Sequence, residues 1–167
     1  RTPAFTERDA YVLDMISSIL SDGKSSRLYK KLVDDQKQAL EVAAINLGQQ
    51  DYGTYVILAL PLGETSLETI QQEIDEEIIK LQTELISQRE YEKLQNTFEN
   101  RFVNANSSIQ GIAGNLATYQ MLYGDTDLIN EQIDIYRSIT REEIQEVAKK
   151  YLNPDQRLEL EYLPKKE

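Results

Sequence analysis

The chain contains no cysteine, no histidine and no tryptophan, and only four prolines among its 167 residues. Without Cys there is no disulfide, thiolate nucleophile, iron–sulfur cluster or Cys-ligated zinc. Without His, imidazole acid–base chemistry, every His-containing zinc site and a Ser-His-Asp triad are excluded. No run of about 18 or more apolar residues occurs, so no membrane span is expected. Positive charge is also scarce. There are 29 Asp and Glu against 18 Lys and Arg, a net charge of -11, which opposes binding to nucleic acid or anionic lipid. Nothing resembles a signal peptide, and an opening at Arg1 rather than Met reads as a fragment or a processed product. The compartment stays open between bacterial periplasm and cytoplasm.

What is present suits a folded domain. Hydrophobic residues make up 40% and charged residues 28%, which rules out disorder on composition. The length fits one ordinary domain, and no linker, low-complexity tract or repeat breaks it, so residues 1–167 read as a single domain.

Helical spacing of Val12, Met15, Ile16, Ile19 and Leu20 predicts a helix from about 7 to 21, opened by a Thr6–Asp9 capping box and stopped at Asp22-Gly23. Ser25 is placed to cap a shorter helix carrying Leu28, Tyr29 and Leu32. The period then changes, and 39–47 and 52–60 read as strands of a hairpin joined across Gly48–Gly53. Pro61 closes the second strand.

A long helical region follows. A Thr65–Glu68 box opens a stripe of Ile70, Ile74, Ile78, Leu81 and Leu85, and a Ser87–Glu90 box opens Tyr91, Leu94, Phe98 and Phe102. A third helix carries Ile109, Ile112, Ala113, Leu116 and Tyr119 up to Gly124. A fourth lies near 126–137, and a Thr140–Glu143 box starts the last, stopped at Asn153-Pro154. Leu158, Leu160 and Tyr162 alternate with Glu159 and Glu161, the pattern of a closing strand. The order predicts an α+β fold: a small antiparallel sheet with helices packed on one face.

Carboxylate, Lys, Tyr, Ser and Thr are the chemistry left. Glu73, Glu76 and Glu77, with Asp75, cluster on the polar side of an amphipathic helix and read as a solvated face, and Asp34-Asp35 as a helix-end loop. Seven of the ten tyrosines, Tyr11, Tyr29, Tyr91, Tyr119, Tyr123, Tyr136 and Tyr151, fall at or beside helix stripes, as amphipathic rims of a core. Gly111-Ile112-Ala113-Gly114 lies within a helix and suggests close packing of a neighbour. It lacks the preceding strand that a phosphate loop needs.

One comparison goes further. The run from Asp9 to Tyr29, with Ile19-Leu20, Gly23 and Ser25-Ser26-Arg27-Leu28-Tyr29, resembles a stretch of the pitrilysin/insulinase metallopeptidases, which include the mitochondrial processing peptidase. The ending is similar as well, from Ser138-Ile139-Thr140-Arg141-Glu142-Glu143-Ile144 through Ala148-Lys149-Lys150-Tyr151-Leu152-Asn153-Pro154.

The resemblance implies a chamber of paired α+β halves. One half holds zinc on an inverted His-x-x-Glu-His helix with a distal Glu, and the motif Glu activates a zinc-bound water. A chain without His cannot be that half. The Ser25–Tyr29 segment places it with the closing halves, which are usually C-terminal and non-catalytic. Zinc is then expected only in a partner half, on the same or another chain, with peptide as the substrate.

In active members the closing half presents an Arg and, seven residues later, a Tyr to the substrate. Matching Leu32 and Val42 to the family pattern puts Val33 and Leu40 at those two substrate-contact positions. Neither side chain can donate a hydrogen bond. The family pattern already has an Arg at Arg27, whose implied role is structural. The family half also has a strand before its first helix, of which Arg1-Thr2-Pro3 would be the end, so the half-domain is expected to be truncated. Two functional expectations follow: a non-catalytic closing half of a zinc metalloendopeptidase, or a structural or interaction subunit that keeps the fold without proteolysis.

Overall fold

The computed structural model describes residues 1–163; the expected domain's last four residues, 164–167, lie outside the described residues. The first helix, α1 (Arg8–Ser21), is the centre of the molecule. Ala10, Tyr11, Val12, Leu13, Met15, Ile16, Ile19 and Leu20 are all buried on it, so only a narrow polar strip escapes the core. That is more than one apolar stripe, because α1 is covered on several sides: β1, α3, α5 and α6 all pack on it. Full burial of each Leu or Ile contributes about 1.5–3 kcal/mol.

The strands are β1 (Ala39–Leu47) and β2 (Thr54–Pro61), paired antiparallel. Among the described residues they form a two-stranded sheet, with Thr2 making one further antiparallel bridge to Gly53. Val42 and Ala44 point inward onto α1 and are buried. The opposite face carries Ile45, Leu47, Leu58 and Leu60, all exposed. Helices α2 (Leu67–Thr83), α3 (Gln88–Ala105), α4 (Ile109–Tyr123), α5 (Leu128–Ser138) and α6 (Arg141–Tyr151) complete the chain. The α+β reading with helices on one face of a small antiparallel sheet is thus the observed fold. No described helix is long and apolar enough to cross a membrane.

Several local expectations are corrected. The Thr6–Asp9 box does not form. Glu7 is the N-cap of α1 and makes no side-chain cap bond, because Asp9 is drawn to α6, accepting from Lys150 Nζ (2.7 Å) and the Tyr151 hydroxyl (2.9 Å). Ser25 does not cap the next helix. Its Oγ accepts from Lys93, while Ser26 turns the chain by donating to Gly23 O (2.7 Å). At α2 the cap is Ser66, accepting from Thr69 N–H, rather than Thr65. Leu85 lies past the end of α2 and is exposed. The Thr140–Glu143 box forms in full.

The stripe on α4 is the larger departure. Of its expected core residues only Tyr119 is buried, and Ile109 is 89% exposed. The expected closing strand is absent among the described residues. Leu158, Leu160 and Tyr162 are exposed and belong to no strand. A strand needs a hydrogen-bonded neighbour, and this segment is tied to α2 instead. Arg157 pairs with Asp75, and Glu159 Oε1 accepts from Gln71 Nε2 (2.7 Å). Gly111 does allow a close approach, since a Cβ there would stand 2.3 Å from Ala105 O at the end of α3; at Gly114 it would meet nothing.

Candidate functional site

The two positions singled out from sequence both fall where the backbone is irregular. Val33 lies in a π-helix (Tyr29–Asp35), half-buried against the core, while Leu32 beside it is fully buried. π-Helical turns are rare and recur at functional sites. Leu40 is the extra residue of a β-bulge. The register runs Ala39↔Pro61 and then Glu41↔Leu60, leaving Leu40 unopposed and 56% exposed. Between them Lys37 takes a left-handed conformation, φ 53°, uncommon for a residue with a Cβ. Bulges of this kind re-aim side chains. Neither Val33 nor Leu40 is in the centre of the core.

The junction is pinned by ordinary bonds. Gln38 N–H donates to Leu32 O and Leu62 N–H to Gln38 O, both at 2.8 Å. Hydropathy periodicity carries no signal for the π-helix. The bulge has none either, since the sequence pattern gives two strands of equal length and only the paired register shows nine residues of β1 facing eight of β2.

Beside Val33, Lys31 faces the acidic cluster of α2. Its Nζ lies 2.6 Å from Glu73 Oε2, 2.7 Å from Glu76 Oε2 and 3.5 Å from Glu77 Oε1, and Lys80 adds a 2.7 Å bond to Glu77. Burial alone would lower the Lys31 pKa. The bonds Lys31 donates to Glu73 and Glu76 outweigh it and raise it. The bond from Lys31 correspondingly holds Glu73 below its ordinary value. The expected solvated face is therefore corrected. Glu77 is 6% exposed and Asp75 is paired with Arg157; of the four, Glu76 is the one left largely in water. The cause is tertiary, since α2 lies against the π-helix that carries Lys31. Asp34 and Asp35 close the last turn of the π-helix and are exposed.

These residues do not fit a zinc site. The donor set has neither imidazole nor thiolate, and the dense carboxylates are already spent on two ammonium groups. Among the described residues no group of three or more acidic side chains is arranged to hold a metal ion. Arg27 forks onto Glu90, with Nε to Oε1 at 2.8 Å and Nη2 to Oε2 at 2.7 Å, which locks the start of the π-helical segment to α3.

The fold recurs in solved proteins, and the sequence has a curated relative. The chain is 30% identical over 138 residues, 81% of its length, to the zinc protease PqqE of Helicobacter pylori. It superposes on the crystal structure of a protease from the same organism with a TM-score of 0.85 and 27% identity, covering 93% of this chain. It also superposes on an inactive peptidase domain from Bordetella parapertussis with a TM-score of 0.84 and 25% identity, covering 99% of this chain and 87% of that one. The chain spans only 31% of the H. pylori zinc protease and 37% of the solved H. pylori protease. A family model described as the peptidase M16 inactive domain matches residues 1–98, more than half of the 167, and the chain belongs to that family.

Proposed function

We propose that this chain, as one half-domain over residues 1–167, is the non-catalytic closing half of a zinc metallopeptidase that degrades or processes peptides, and that it works with a His-bearing zinc half on the same or another chain. The observation that carries this reading is the alignment of a chain without a single His to a zinc protease over 81% of its length. The zinc, bound in the partner half, supplies the activated water. This chain's own part is enclosure and contact. Val33 and Leu40 stand at the π-helix and the bulge as the replaced Arg and Tyr positions. Having no side-chain donors, they offer only apolar contact to a peptide. Hydrogen bonds that stabilise the reacting carbonyl must then come from the zinc half. The exposed Ile45, Leu47, Leu58 and Leu60 supply an apolar wall that a chamber can enclose.

The test is reconstitution with the zinc half encoded beside or upstream of this chain, on a quenched-fluorescence peptide. Cleavage by the mixture, and by neither part alone, is expected. A zinc half that is equally active alone supports a structural or interaction subunit instead. Stoichiometric zinc retained by this chain after dialysis, or peptidase activity of its own, overturns the reading.

A further inference from the structure

A cleft opens between α1, the hairpin, α4 and α5. Two adjoining cavities, about 550 Å³ and about 360 Å³, share Asp14, Asn46, Tyr119, Gln132 and Tyr136 in their walls. Volumes of this order accept small organic ligands. Asp14 stands on the polar strip of α1, between the fully buried Leu13 and Met15. Its Oδ1 accepts from Asn46 Nδ2 (2.9 Å) and its Oδ2 from the Tyr136 hydroxyl (3.2 Å).

Asn46 Nδ2 also donates to Ala10 O at 3.3 Å, so both amide protons are spent. Reversing the amide would set its oxygen against a carbonyl and a carboxylate, so the orientation is fixed. That leaves Asn46 Oδ1 shut from water with no donor. Tyr119 spends its proton on Gln132 Oε1 at 2.7 Å. The Asp14 carboxylate retains unused lone pairs, and the nearby guanidinium, Arg101, is turned to Asp22.

Aromatic rings line the same space. Tyr11 and Tyr136 stand with ring centres 5.3 Å apart, Tyr119 and Tyr123 6.0 Å apart. A carboxylate with unused lone pairs, with Tyr119 and Tyr136 beside it in the walls of both cavities, suits a cation that donates hydrogen bonds. Burial raises the pKa of Asp14, and its bonds from Asn46 and Tyr136 only oppose this, so a bound cation would relieve a desolvated charge.

We propose that this cleft binds a small organic cation, a primary ammonium or guanidinium group seated on the Asp14 carboxylate among Tyr11, Tyr119 and Tyr136. The group belongs either to a free amine or to the basic side chain of a peptide. The site stands apart from the proposed proteolytic role and survives its failure.

Calorimetric titration of the chain with agmatine and with N-acetyl-arginine amide, at matched ionic strength in sodium chloride, tests it. One-site saturable binding with a dissociation constant of about 1 mM or tighter is expected for at least one of them. Tighter binding of agmatine assigns free amines; binding of the blocked arginine at least as tight assigns basic side chains. Asp14→Asn should weaken binding about tenfold or more, and Asp75→Asn, on α2 away from the cleft, should leave it unchanged. Gln132→Phe, which fills the cleft, should abolish binding with the circular dichroism spectrum retained, and it decides the matter if Asp14→Asn does not fold. No saturation by about 10 mM of either probe, or parental affinity in the folded variants, overturns the proposal and leaves the Asp14 cluster a structural tie.

Discussion

Val33 and Leu40 occupy two backbone defects within eight residues, and the side chains the family resemblance would place there are larger and polar. Leu40 is exposed and Val33 lies at the edge of the core, where an Arg stem can lie along apolar surface with its head in water. Val33→Arg with Leu40→Tyr is therefore expected to cost less than about 1 kcal/mol in urea unfolding; a loss of several kcal/mol would show that these side chains are core. Asp14 makes an opposite case. Burial raises its folded pKa, so the fold favours its protonated form. The stability it contributes is present at acid pH and lost as pH rises through the folded value. Asp14→Asn should accordingly gain melting temperature relative to the parent at pH 7.5 compared with pH 3. A pH-independent difference between the two proteins would refute the sign.

At the scale of elements, capping is the clearest case of local sequence coupled to distant structure. Thr140 and Glu143 cap α6 reciprocally, and Glu143 also receives Arg8 of α1, with Nε to Oε1 at 2.7 Å and Nη2 to Oε2 at 3.1 Å. Arg8 lowers the Glu143 pKa through that bond, so one carboxylate serves both the cap and the α1–α6 packing. Thr140→Ala should cost about 1 kcal/mol. Combined with Arg8→Ala in a double-mutant cycle, the losses should fail to add; strict additivity in urea unfolding would show that cap and ion pair are independent. The uncapped start of α1 shows the reverse. Asp9 has the right spacing from Thr6 but is held by Lys150 and Tyr151, and the local motif loses to the tertiary pair.

At the scale of the molecule, the core lies on one face of the hairpin and the other face is bare. Leu58 and Leu60 are exposed there, and an exposed apolar patch of this kind marks an interaction surface. Leu58→Glu with Leu60→Glu should leave the isolated chain within about 0.5 kcal/mol of the parent, as surface changes do. In the proposed reconstituted peptidase the same pair should reduce activity severalfold at limiting concentration of this chain. Unchanged reconstitution would show that this face encloses nothing.

Hydropathy period, cap residues and turn residues placed α1, the hairpin and the five later helices, because those signals are local and act through backbone geometry. The spacing of Ile70, Ile78 and Leu81 is enough to choose a face, and the left-handed Gly124, φ 70°, is enough to end α4. The absence of His and Cys limited the chemistry before any fold was known. Tertiary structure decided what depends on a neighbour. Glu77 is buried because Lys31 and Lys80 meet it, and the 158–162 segment lies along α2 because Arg157 and Glu159 find partners there, although its alternation suits a strand. The apolar residues of α4 stay exposed because little of the chain packs over them. The Asp14–Asn46–Tyr136 cleft joins three elements far apart in sequence, and no spacing within one element encodes it. Periodicity specifies which side of an element is apolar; what that side meets is set only when the elements pack.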